Sequence, residues 1–110
     1  MSYDEAFADR IRAATEGEAG LSERKMFGGL AFLVHGHMAV AAGSGGSLML
    51  RVDPSQADAL SREPHVERFE MHGRAMKGWL DVGQEAVTDA AELQRWVDVG
   101  LAYARSLPPK

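Results

Sequence analysis

Gly29-Leu30-Ala31-Phe32-Leu33-Val34-His35-Gly36-His37-Met38-Ala39-Val40-Ala41-Ala42-Gly43-Ser44-Gly45-Gly46-Ser47-Leu48-Met49-Leu50-Arg51-Val52 is the stretch whose reading decides the fold. It holds three short apolar runs, at residues 29–34, 38–42 and 47–52. Each is the length of a strand rather than a helix. His35-Gly36-His37 separates the first two, and Gly43-Ser44-Gly45-Gly46-Ser47 separates the second from the third. Glycine reaches the positive φ angles that tight reversals need, so both separators read as hairpin turns. A meander with such short connections implies antiparallel pairing. The Gly/Ser pentapeptide lacks the Lys-Ser/Thr ending and the following helix of a phosphate-cradling loop, so it reads as a turn only.

Upstream, residues 23–27 read as a strand-like segment running into 29–34. Before it, Tyr3, Phe7, Ile11 and Ala14 recur at helical spacing, which predicts a first helix from about Ser2 to Thr15, ended by Gly17 and Gly20. Downstream, Asp53-Pro54-Ser55-Gln56 is a helix start: Asp53 caps free amides, Pro54 suits the first helical position, and Gln56 can reach back to complete the box. That helix turns Ala57 and Leu60 inward and stops before Pro64. Residues 66–71 and 76–82 read as two further strands around His72-Gly73-Arg74. Thr88-Asp89 caps a last helix whose apolar face is Leu93, Trp96, Val97, Gly100, Leu101 and Ala104, ended by Pro108-Pro109. The expectation is an α+β fold of two layers, an antiparallel sheet covered by helices, in the order α-β-β-β-α-β-β-α.

The 110 residues suit one domain spanning 1–110, and 45% hydrophobic with 25% charged residues places the chain among ordered globular proteins. The chain has no cysteine, which excludes a disulfide framework, a thiolate zinc site and a cysteine nucleophile, and fits a reducing cytoplasm. Met1-Ser2-Tyr3-Asp4-Glu5 has no basic region leading into an apolar one, so no secretory leader is expected. The longest apolar stretch, residues 28–34, falls far short of the roughly 20 residues a membrane span needs, so a cytoplasmic location without membrane association is expected. A net charge of −4, a pI near 5.5 and scattered rather than striped basic residues argue against direct nucleic-acid binding.

The candidates for chemistry are few. His35 and His37, two apart and beside Met38, could turn two imidazoles to one face as metal ligands. They flank Gly36 in a reversal, no carboxylate lies near, and His65 and His72 fall in other segments, so the set is incomplete for a stable site. No serine stands in a Gly-x-Ser-x-Gly elbow, and the carboxylate pairs Glu16/Glu18 and Glu67/Glu70 read as solvated faces. Neither a catalytic residue nor a cofactor is expected, and the chain leans away from being an enzyme. Met26, Met49, Met71 and Met76 lie in or beside strands, where their flexible side chains read as core fillers.

Two segments carry more. Arg24-Lys25-Met26-Phe27-Gly28-Gly29 and Gly73-Arg74-Ala75-Met76-Lys77-Gly78-Trp79 both combine glycine, cation, methionine and aromatic. If they face each other, Lys25, Arg74 and Lys77 could bracket an acidic group beside Phe27 and Trp79. If not, the aromatics are core and the cations a solvated rim.

The run from Arg24 through Met38 resembles the signature of the TfoX N-terminal domain family, the TfoX/Sxy competence-regulator type. Leu50-Arg51-Val52 resembles that family's third strand, and Gly73–Trp79 with the closing helix through Trp96 and Ala104 its second half. The resemblance covers almost the whole chain and implies a secretion-chaperone-like α/β architecture. The family's namesake carries a second, C-terminal domain, whereas this chain ends at Lys110, so a competence role is not expected to transfer. At the place of His35 and His37 the family usually has a polar turn, and it supplies no catalytic residue.

The leading functional expectation is a regulatory or protein-interaction module that binds a protein partner or itself, as a homodimer through a sheet edge or the last helix. The alternative is a small-molecule or anion-binding domain using Lys25, Arg74, Lys77 and Trp79. A metal-binding protein using the His35/His37 turn comes last.

Overall fold

The computed structural model of the chain describes residues 3–26, 28–71 and 73–109. The run at 29–52 forms three strands, β2 (Gly29–Val34), β3 (His37–Ala42) and β4 (Leu48–Arg51), joined by the two expected reversals. His35 and Gly36 both take positive φ, 49° and 86°, as a two-residue hairpin turn requires. The upstream segment does not run on into 29–34: β1 (Leu21–Met26) is a separate strand that folds back on β2 with Met26 opposite Gly29. After β4 come β5 (Val66–Met71) and β6 (Arg74–Val82). All neighbours pair antiparallel in one sheet of order β1-β2-β3-β4-β6-β5.

Helix α1 (Glu5–Ala14) starts later than the spacing predicts, because Asp4 rather than a residue nearer the terminus caps it by accepting from Phe7 N. Helix α2 (Pro54–Ser61) is capped by Asp53 as expected, but Ser55, not Gln56, supplies the side-chain partner. A short 3-10 turn (Gln84–Ala86) precedes α3 (Ala90–Ser106), capped by Asp89. The order of helices and strand groups is the expected one, and the α+β class with an antiparallel sheet holds. Ser2, Phe27, His72 and the side chain of Met71 lie outside the described residues.

All three helices contribute to one core. Phe7 and Ile11 of α1, Ala57 of α2 and Leu93, Trp96, Val97 and Leu101 of α3 bury against Leu30, Phe32, Val40, Leu48, Leu50, Leu80 and Val82 of the sheet. Alanine-sized or smaller residues set the closest approach. A Cβ on Gly100 would lie 2.6 Å from the Ala39 carbonyl oxygen, so glycine there lets α3 sit directly on β3. Ala39 is the extra residue of a bulge, because Phe32 pairs with Val40 while Leu33 pairs with Met38.

Ion pairs tie the helices to the rest of the chain. Arg12 of α1 reaches Glu23 of β1 at 2.8 Å, and Arg95 of α3 reaches Glu63 at 2.8 Å. Arg105 reaches Glu18 at 2.7 Å, and the hydrogen bond from Arg105 holds the Glu18 carboxyl below the usual range while partial burial opposes the shift. Met76 is exposed at 37% and therefore does not fill the core, contrary to the expectation from its place in the strand. Among the described residues no helix is long and apolar enough to cross a membrane.

Candidate functional site

An antiparallel sheet with one helical layer usually alternates, apolar toward the helices and polar toward water. Strand β2 does not: Gly29 to Val34 are all buried. Leu30, Phe32 and Val34 belong to the helix-covered core, whereas Ala31 and Leu33 join Ala41 in a second apolar cluster. Met26, Met38 and Met49 pack around that cluster, and among the described residues it contains sheet residues only. The bulge at Ala39 produces part of this grouping, since it turns Met38 to the same face as Ala41 despite their odd spacing.

The registers of all five strand pairs align one row across this helix-free face: Arg24, Ala31, Ala41, Met49, Asp81, Glu67, one from each of β1, β2, β3, β4, β6 and β5. At the usual strand spacing the row is about 24 Å long. It is basic at one end, apolar in the middle and acidic at the other. Asp81 accepts a hydrogen bond from the Ser47 hydroxyl. Arg24 and Glu67 are exposed and form no ion pair among the described residues. Like charges directly opposite on neighbouring strands, as Asp81 and Glu67 are, repel rather than stabilise the sheet.

Beside the row, Met26, Met38, Met49 and Phe69 line a cleft of about 90 Å³ over Ala41 and Ala42. That is room for about three waters and well below the several hundred Å³ of a metabolite pocket. A wider groove of about 560 Å³ along β5 is lined by Ser61, Glu67, Arg68, Phe69, Glu70 and Asp81. Its acidic lining does not suit the anion expected from the sequence.

The sequence-predicted residues are distributed as follows. Lys25 is exposed on the edge strand β1, opposite Leu30, and so belongs to the row facing the helices. Arg74 and Lys77 are exposed on β6, with β2, β3 and β4 between their strand and that of Lys25. Neither cleft described above is lined by any of the three. Trp79 is half-buried on β6, and the cation over its ring is Arg51, to which the sequence assigned no role, at 5.8 Å from the centroid. Tyr103 of α3 takes the same guanidinium at 5.5 Å.

The two turn histidines part company. The His35 ring covers Gly20, and His37 brings its Nε2 within 2.6 Å of the Pro108 carbonyl oxygen, leaving Nδ1 buried without a hydrogen-bond partner. Among the described residues no group of three or more histidines or carboxylates is placed to hold a metal ion.

Residues 14–104 match the family model described as TfoX N-terminal domain, which covers most of the 110-residue chain. No curated protein and no solved structure matches the chain.

Proposed function

The chain belongs to the TfoX N-terminal domain family, and from that premise we propose that it is a regulatory protein-interaction module that self-associates through the helix-free face of its sheet. The observation that carries this reading is the row from Arg24 to Glu67. A twofold axis running along the strands between β3 and β4 would lay the row of one copy, reversed, over that of a second. Arg24 of each copy then meets Glu67 of the other, and Ala41 meets Met49. Such an isologous contact is self-complementary and closes at two copies. The flexible methionines supply an apolar centre that adapts to a facing sheet, and opposite charges fix the register. The expected homodimer thus uses the sheet face rather than a sheet edge or the last helix.

Regulation in this reading comes from occupancy of a surface, with no bond made or broken. The cysteine-free sequence suits a reducing cytoplasm, and the net charge of −4 directs the module toward protein rather than nucleic acid. Light scattering across a concentration series tests it. The wild type should reach a dimer mass, and Met49→Glu, which sets a carboxylate in the middle of the contact, should stay monomeric with unchanged circular dichroism. A wild-type protein that remains monomeric, or a dimer indifferent to Met49→Glu, removes the reading.

A further inference from the structure

The arginines of this chain fall into three groups. Arg10 donates to the Val87 and Thr88 carbonyls, and Arg12, Arg68, Arg95 and Arg105 pair with carboxylates. Arg24, Arg62 and Arg74 are exposed, where water serves their donors. Arg51 stands alone. It is half-buried, yet it makes no hydrogen bond or ion pair among the described residues. Its guanidinium lies over two aromatic rings instead, Trp79 directly across on β6 and Tyr103 on α3.

A guanidinium within cation–π range of two rings and without a hydrogen-bond partner keeps its N–H donors for a ligand, and their planar fork matches a carboxylate at two points. Two rings from different elements also restrict the side chain, so little freedom remains to be lost on binding. Both rings are half-buried rather than sealed, so each offers an apolar wall beside the fork. One cation stands there, which balances one negative charge.

We propose that Arg51, Trp79 and Tyr103 form a recognition site for an organic carboxylate, with the carboxylate on the Arg51 fork and its apolar body against the rings. Arg51 and Trp79 stand two residues from Met49 and Asp81 on the same strands, so the site adjoins the proposed dimer contact. Arg74 and Lys77, exposed earlier on the Trp79 strand, add positive potential on the approach.

The carboxylate can come from a free organic acid or from the C-terminus of a peptide. Nuclear magnetic resonance follows the Arg51 Nε–H and the Trp79 indole N–H, the latter assigned with Trp79→Phe. The titrants are sodium hexanoate, hexanamide, inorganic phosphate, and a short peptide with a free or an amidated C-terminus. Saturable shifts with hexanoate but not hexanamide support a free acid. Saturable shifts with the free-ended but not the amidated peptide support a chain terminus. In either case Arg51→Lys, which keeps the charge and loses the fork, should weaken binding about ten- to hundredfold. Arg51→Met should abolish it, and if that variant does not fold, Arg51→Lys with a native-like spectrum carries the test. No saturable shift, equal response to hexanamide, tighter binding of phosphate than of either carboxylate, or affinity unchanged in Arg51→Lys overturns the proposal.

Discussion

Gly100→Ala sets two effects of opposite sign against each other. Alanine is the better helix former by about 0.8–1 kcal/mol, which favours the variant in the interior of α3. Against this, the added Cβ would lie 2.6 Å from the Ala39 carbonyl oxygen and 2.8 Å from Val40 Cγ1. An ordinary carbon–oxygen contact is about 3.3 Å, so α3 would have to lift by about 0.7 Å. Neither obstacle can step aside, one being backbone at a bulge and the other a β-branched side chain stiff about χ1. Overpacking of this kind costs about 1–3 kcal/mol, and the rigid neighbours place it in the upper part of that range. The net expectation is a loss of about 1–2 kcal/mol and a Tm lower by about 5–15 °C. Urea denaturation at fixed protein concentration measures it, with the midpoint falling and the m-value unchanged. Gly45→Ala is the control, since nothing lies within 4 Å of its added Cβ, and it should stay within about 0.5 kcal/mol of wild type. A Gly100→Ala protein as stable as the wild type, or more so, would refute the close docking of α3 on β3.

Two further predictions concern the ends of elements. The Glu18 carboxyl is held low chiefly by the Arg105 hydrogen bond, so the pair's contribution is complete above about pH 4.3, where an unfolded glutamate is ionised, and is lost as the pH falls through the depressed folded value. Because Arg105 is half exposed, that contribution stays below about 1 kcal/mol. Glu18→Gln should therefore lose stability at neutral pH and match the wild type in acid, and a constant difference across the range would exclude the linkage. Asp89→Ala removes the acceptor for Ala91 N at the start of α3 and should cost about 1 kcal/mol, whereas Asp89→Asn should retain most of it; equal losses in thermal denaturation would exclude the cap.

The sequence carried the local features and missed those that depend on register. The strand lengths at 29–52, the His35-Gly36 reversal and the caps at Asp53 and Asp89 each rest on a few adjacent residues, and all were legible. The β1–β2 reversal does have a local signal, Gly28-Gly29 with Gly28 at a φ of 76°, but the apolar residues on both sides of it make Arg24 to Val34 resemble one continuous strand. The bulge at Ala39 has no signature of its own, yet it decides which face Met38 joins. The one available hint of a second apolar face was that Gly29 to Val34 is apolar throughout, whereas a half-solvated strand would alternate. Arg51 carries no local signal for a related reason: its partners Trp79 and Tyr103 lie 28 and 52 positions away, and only pairing of β4 with β6 and docking of α3 bring them together.

The most direct test of the face-to-face arrangement is a charge-swap cycle at the two ends of the row, read as dimer dissociation constants by analytical ultracentrifugation. Arg24→Glu and Glu67→Arg should each weaken the dimer, because each then opposes like charges across the twofold axis. The double variant, with the charges exchanged, should return toward the wild-type constant. Losses that merely add in the double variant, or single variants that dimerise as the wild type does, would contradict the pairing of Arg24 with Glu67 and with it the proposed interface.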